Sequence, residues 1–168
     1  TLKSLILTNG SGVDGGGIRN AGTLTMQGGS IQMNLGRRGA GLFNSGAAEL
    51  ESVRVQDNIA ERGFGGGIYN EGSLRLTNSS LLRNTGSTGL SGGGLFNTGA
   101  AILDGVNVEG NTVDLQGGGI HNTGSLAMTG GFVQKNSAGI SGGGIYNSMD
   151  GSQILTGVTI AENTLGFL

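Results

Sequence analysis

Cysteine is absent from the 168 residues, which removes disulfides, thiolate metal sites and cysteine catalysis together. Histidine occurs once, as His121, so neither a multi-histidine metal centre nor a histidine-pair mechanism is open to the chain. Charge is sparse: 12% of residues are charged and the formal net charge is -2. Without a basic stripe to neutralise phosphates or hold an anionic membrane, nucleic acid is not an expected partner. No stretch approaches about 18 consecutive apolar residues, so membrane insertion by a helix is not expected either. No run keeps the apolar spacing of about 3.6 residues that an amphipathic helix needs, which predicts little or no helix. The start, TLKSLILTNG, has neither an initiator Met nor a signal-peptide pattern and reads as a processed or excised piece.

Glycine is plentiful, at 38 residues, yet it shows no three-residue period, and apolar residues return at fixed places between the glycines. One string recurs six times: GGGIRN (15 to 20), GAGLFN (39 to 44), GGGIYN (65 to 70), GGGLFN (92 to 97), GGGIHN (117 to 122) and GGGIYN (142 to 147). Its closing asparagines, Asn20, Asn44, Asn70, Asn97, Asn122 and Asn147, recur at intervals of about 25 residues, the period of a supersecondary unit that stacks on its neighbours. A second motif ends on Asn34, Asn58, Asn84, Asn111, Asn136 and Asn163. Its offset from the first asparagine is constant in five repeats and longer only in the sixth, where Ser148 and Met149 are inserted.

Counting the first asparagine as place zero, with Met149 as zero in the last repeat, brings further residues into columns. Glycine holds place two. Leu24, Ala48, Leu74, Ala101, Leu126 and Gln153 hold place four; Met26, Leu50, Leu76, Leu103, Met128 and Leu155 hold place six; Ile31, Val55, Leu81, Val108, Val133 and Ile160 hold place eleven. Apolar residues two apart between glycine-rich breaks mark short half-buried strands. Such strands do not close a core within one repeat of about 25 residues, but coils stacked at roughly 4.8 Å form continuous parallel sheets. The expectation is a single all-β domain over residues 1–168: a parallel β-helix of six to seven coils with three short strands each.

Both sets of asparagines are expected to face inward at turns, where each amide pairs with the coil above and below. Strand alternation turns the residue before each first asparagine outward: Arg19, Phe43, Tyr69, Phe96, His121 and Tyr146. Rings stacked over a strip of outward glycines either cover backbone or form a platform for sugar rings or a protein partner. Phe43, Tyr69, Phe96, His121 and Tyr146 are therefore the candidate ligand-binding residues. The variable turns before each string, with Arg37, Arg38, Glu61, Arg62 and Phe64 in the first two, are a candidate contact surface.

No catalytic group is assigned. Glu49 and Glu51 form the closest outward acidic pair, about 7 Å apart along a strand, but Arg75 in the next coil falls beside Glu49 and makes an ion pair the simpler reading. Asp57 is likewise expected beside Arg83, and Lys135 beside Glu162. Asp14 in GVDGGGI has no counterpart in other coils, so neither calcium nor any other metal or cofactor is expected, and a phosphate loop lacks its GK[ST] ending.

The tandem GGxI and ΦxxN motifs, seen as GGGIYN with LLRN and GGGLFN with VEGN, resemble the repeats of the polymorphic outer-membrane protein family over nearly the whole chain. The resemblance implies a right-handed parallel β-helix of the pectate-lyase-like or autotransporter-passenger kind, displayed outside the cell or at the bacterial cell surface, and associated with adhesion. The expected function is a non-catalytic adhesin-like or structural repeat domain with a surface glycan or protein as partner. A carbohydrate-binding or carbohydrate-active β-helix is the alternative. Ice binding is remote, because the outward column Thr25, Glu49, Arg75, Ile102, Ala127 and Ile154 makes no regular lattice. A stacked helix leaves two open strand edges, which implies a longer native chain or end-to-end self-association. LGFL at 165 to 168 is read as a fold over the last core layer.

Overall fold

The computed structural model describes residues 1–87, 89 and 91–166. Thr88 and Leu90, in one variable turn, and Phe167 and Leu168, half of the proposed terminal fold-over, lie outside the described residues. Among those described there is no helix. The chain winds as a parallel β-solenoid of about six turns whose strands stack into three sheets.

The largest sheet holds places three to seven and ten to twelve. In the first coil one strand, Thr23–Gln32, runs through both segments; in the second they separate into Ala47–Glu51 and Arg54–Gln56. The break falls at place eight, where the backbone turns left-handed at Gly28, Ser52, Asn78, Gly105, Gly130 and Gly157. Each coil thus contributes to three sheets and meets the largest one twice, on either side of this corner. A six-stranded sheet carries the ends of the glycine strings, and a seven-stranded sheet begins with Ser11–Asp14 and Leu35–Arg38.

The register aligns the columns counted from the sequence. Leu74 stands between Ala48 and Ala101 at place four, Leu76 between Leu50 and Leu103 at place six, and Leu81 between Val55 and Val108 at place eleven. These side chains fill the interior with almost no exposure, and Ile68, Leu95 and Ile120 close it from the six-stranded sheet. Alternation of leucine and alanine at place four interleaves large and small groups, as dense packing requires. Leu2–Thr8 forms a partial preceding coil in register with Thr23–Gln32. Gly10 reaches the second asparagine column there, donating its N–H to Asn34 Oδ1 at 2.9 Å.

Two asparagine ladders run the length of the interior. In the first, each Nδ2 donates to the Oδ1 of the next coil, from Asn20 through Asn44, Asn70, Asn97 and Asn122 to Asn147, at 2.7–2.8 Å. In the second, Asn34, Asn58, Asn84, Asn111, Asn136 and Asn163 pair likewise at 2.9–3.0 Å. Asn84 is fully used: Nδ2 donates to Val55 O and Asn111 Oδ1, while Oδ1 accepts from the backbone and side-chain N–H groups of Asn58. Complete satisfaction is what allows nine of these amides to lie at 2% exposure or less without the desolvation penalty of an orphaned polar group.

The third glycine of each string serves the second ladder. A Cβ on Gly67 would stand 2.9 Å from Asn84 Nδ2 and 2.6 Å from Gly94 O, and one on Gly94 would meet Asn111 Nδ2 and Gly119 O. The glycine strip therefore faces the buried amides and not the aromatic column, which corrects the expectation of rings lying over bare glycine. In the last coil Asn147 keeps its place in the first ladder and Ser148 stays in register, its N–H donating to Asn122 O at 2.9 Å, so the extra length is extruded as an exposed turn at Met149 and Asp150 and not at Ser148 and Met149.

Replacing Leu74 with alanine puts three alanines in succession at place four and is expected to cost about 2–5 kcal/mol, read from the urea denaturation midpoint. Asn84→Ala strands the Asn58 donors and the Val55 carbonyl, with an expected loss of about 1–3 kcal/mol for each group left unpaired. Thermal stability equal to that of the parent would remove the ladder as a stabilising element.

Candidate functional site

The residue before each first asparagine lies opposite the core face of its strand, as alternation requires: Ile68 joins the main core, whereas Tyr69 clusters with Phe43 and Phe96. Parallel register at the coil spacing then forces ring over ring. Phe43 and Tyr69 are 5.5 Å apart between centroids and inclined by 6°, and Tyr69 and Phe96 are 5.3 Å apart at 8°. His121 continues the stack 4.6 Å from Phe96, and Tyr146 follows at 4.9 Å with a 38° tilt. All five candidate residues are thus brought into one column, with Arg19 ending it 5.8 Å from the Phe43 centroid.

This column is not an open platform. Phe43, Tyr69, Phe96 and His121 are buried, none more than 8% exposed. Neighbouring rings cover one another's faces, and the turns before the glycine strings cover their edges. Arg38 lies 4.9 Å from the Phe43 centroid, and the Phe64 ring packs 4.5 Å from Phe96. Both covering residues immediately precede the first glycine of a string, as does Asp14, and that shared place is the signal by which the cover was discoverable.

Arg38 is held by charge as well as by the rings. Its Nε and Nη2 donate to the two Asp14 oxygens at 2.8 and 2.9 Å, and Nη1 lies 3.5 Å from Glu71 Oε1. Hydrogen bonding to Asp14 makes its guanidinium still harder to deprotonate, with partial burial opposing. Burial, reinforced by the Glu71 carboxylate, raises the Tyr69 hydroxyl above the ordinary tyrosine range, while Arg38 pulls the other way. Burial likewise pushes His121 below the usual histidine range, opposed only by the Gln116 backbone.

The turn residues do form an exposed surface. Val13, Arg37, Arg38, Arg62, Gly63 and Phe64 line one shallow depression, and Ser11, Leu35, Arg37 and Glu61 belong to its neighbour on the seven-stranded sheet. Val13 and Phe64 expose apolar surface there. Among the described residues, the ion pairs involve neither Arg37 nor Arg62.

Across the molecule, Thr25, Gln27, Glu49, Glu51, Arg75 and Thr77 line a third shallow depression, on the largest sheet. Arg75 stands opposite Glu49 in register, but the two form no ion pair; Gln27 donates to Glu51 Oε2 at 3.3 Å. Arg83 grips Asp57 in a bidentate pair at 2.8 and 2.9 Å, as the columns predict. Lys135 instead reaches Glu109 at 3.2 Å and not Glu162, because Glu109 sits between the charges of Lys135 and Arg83, which both favour its carboxylate. No group of three or more His, Asp or Glu side chains suited to a metal occurs among the described residues.

No family model, curated protein or solved structure matches the chain. Its class therefore rests on its own geometry, which is that of a parallel β-solenoid repeat protein.

The raised Tyr69 hydroxyl has a direct readout. In a Tyr146→Phe background, ultraviolet absorbance is expected to report tyrosinate formation above the ordinary value of about 10. Phe64→Ala, by opening the cover, should lower that midpoint towards the ordinary value; an ordinary midpoint in the parent would contradict the enclosed column.

Proposed function

We propose that the chain is an extracellular or cell-surface β-solenoid repeat domain with an adhesin-like or structural role, of the kind to which the polymorphic outer-membrane repeats belong. The observation carrying this reading is the division of labour between columns. The repeated asparagines, glycines and aliphatic residues, with the rings, are used up in stacking one coil on the next. Chemistry that differs from coil to coil is confined to the outer faces and the turns, which is where a rigid scaffold presents recognition groups. The depression formed by Val13, Arg37, Arg62 and Phe64 joins exposed cations to exposed apolar surface, a combination suited to a protein partner.

The carbohydrate reading moves away from the enclosed rings to the flat face around Glu49 and Glu51. Its amide, hydroxyl, carboxylate and guanidinium groups offer partners for sugar hydroxyls. One comparison separates the two readings: binding to host-cell surface proteins and to a glycan array by the parent, an Arg37→Glu, Arg62→Glu variant and a Glu49→Gln, Glu51→Gln variant. Loss of protein binding in the arginine variant alone, with its thermal midpoint kept, is the expected outcome. Glycan binding lost only in the glutamate variant would replace the adhesin reading with the carbohydrate one.

A further inference from the structure

His121 interrupts the aromatic column with a ring that the stacking itself does not require. The corresponding places hold Phe43, Tyr69, Phe96 and Tyr146, which supply similar flat surface, whereas histidine is the side chain whose ordinary charge change falls between about pH 5 and 8. His121 is 6% exposed, clasped between Phe96 at 4.6 Å and Tyr146 at 4.9 Å, and its Nδ1 is buried with no hydrogen-bond partner. A neutral imidazole tolerates this, since one nitrogen then carries no proton; an imidazolium has two N–H groups and must find an acceptor for both.

The surroundings offer the cation little. Below it, the string of coil four presents Phe96; above it, the string of coil six presents Tyr146. On its own strand the neighbours are Ile120 and Asn122, and the Asn122 amide is committed to Asn147, Gly124 and Ser152. The incoming turn brings Gln116, whose backbone favours the cation, and, two residues earlier, the partly exposed Asp114. The turn of the next coil, SAGISG at 137 to 142, contains no ionisable side chain. Attraction of the cation to the two flanking rings works against the loss of hydration, but burial remains the larger influence and no carboxylate acts on the ring.

We propose that His121 is an acid-sensitive joint in the aromatic column, whose protonation loosens coil five against coils four and six while the asparagine ladders hold the remaining coils in register. A histidine held below its usual range binds fewer protons in the folded chain than in the unfolded one. Its contribution to stability is therefore complete above about pH 6.5 and is lost as pH falls through that value towards the folded one.

Because His121 is the only histidine, its imidazole NMR signals report its titration in the intact chain without assignment by mutation. The expected midpoint lies below about 6.5. Between about pH 7.5 and 5.5, amide protection around Ile120 and Asn122 should fall several-fold, while that around Leu42 and Asn44 in coil two holds. His121→Phe, which restores an unbroken column of carbocyclic rings, should abolish this local loss and the accompanying fall in denaturation midpoint. An NMR midpoint at or above about 6.5 would overturn the proposal, even if the phenylalanine variant failed to fold. So would the same local loss of protection in parent and variant.

Discussion

Amide-to-amide hydrogen bonds at 2.7–3.0 Å, repeated at every coil, set the separation between coils and so the registry of all that lies between them. A side-chain amide suits this task because it presents donor and acceptor at one planar end, so identical residues pair in an endless row. A serine has too short a reach, and a carboxylate would set like charges on one another in a dry interior. The ladder also imposes glycine on its surroundings: the third glycine of each string exists because the second amide column occupies the space of its Cβ.

Fixing both amides in each coil divides the chain into a segment that must keep its length and one that need not. From first to second asparagine the separation is identical in five coils, and in the sixth the two additional residues leave the stack as a turn at Met149 and Asp150. From second to next first asparagine the separation changes along the chain, shortest between Asn34 and Asn44 and longest between Asn84 and Asn97. Apart from the exposed Met149–Asp150 turn of the sixth coil, length variation is thereby confined to the segment before the glycine strings, beside the aromatic column. The turns of that edge supply Arg38 and Phe64, which convert an outward face into a second, smaller interior.

The two interiors differ in how legible they are from the residues alone. Places four, six and eleven and both amide columns recur at constant offsets, so simple counting assigns Leu74, Leu76, Leu81 and Asn84 their partners. The outward direction of Tyr69 and Phe96 also follows from alternation, but their burial does not, because what covers them comes from turns of unequal length. Phe64 shares with Asp14 and Arg38 the place before the first glycine of a string, but the residue there differs in type from coil to coil, so the place is periodic and its chemistry is not. Glycine misled for a related reason: the backbone bends between Gly67 and Tyr69, so counting by twos assigns both to one face, whereas the Gly67 position looks inward at Asn84. Lys135 shows the limit for flexible side chains, since its long stem selects Glu109 over the residue that the column places above it.

Enclosure of the rings alters what the repeats say about function. A repeated outward aromatic suggests a repeating ligand only if it is accessible; once stacked and covered, the same repetition serves the fold. The groups left for recognition are those that do not repeat. Arg37 and Arg62 lie on the turn edge; on the flat face Glu49 and Arg75 belong to an outward place whose residue changes at every coil, and Glu51 to one that Thr77, Thr129 and Thr156 also occupy. The outward groups of these two faces thus form no regular array of equivalent sites from coil to coil. The regular interior makes that possible, since it holds unlike coils at a constant spacing whatever their outer residues are, and the outer chemistry is free to vary without disturbing the stack.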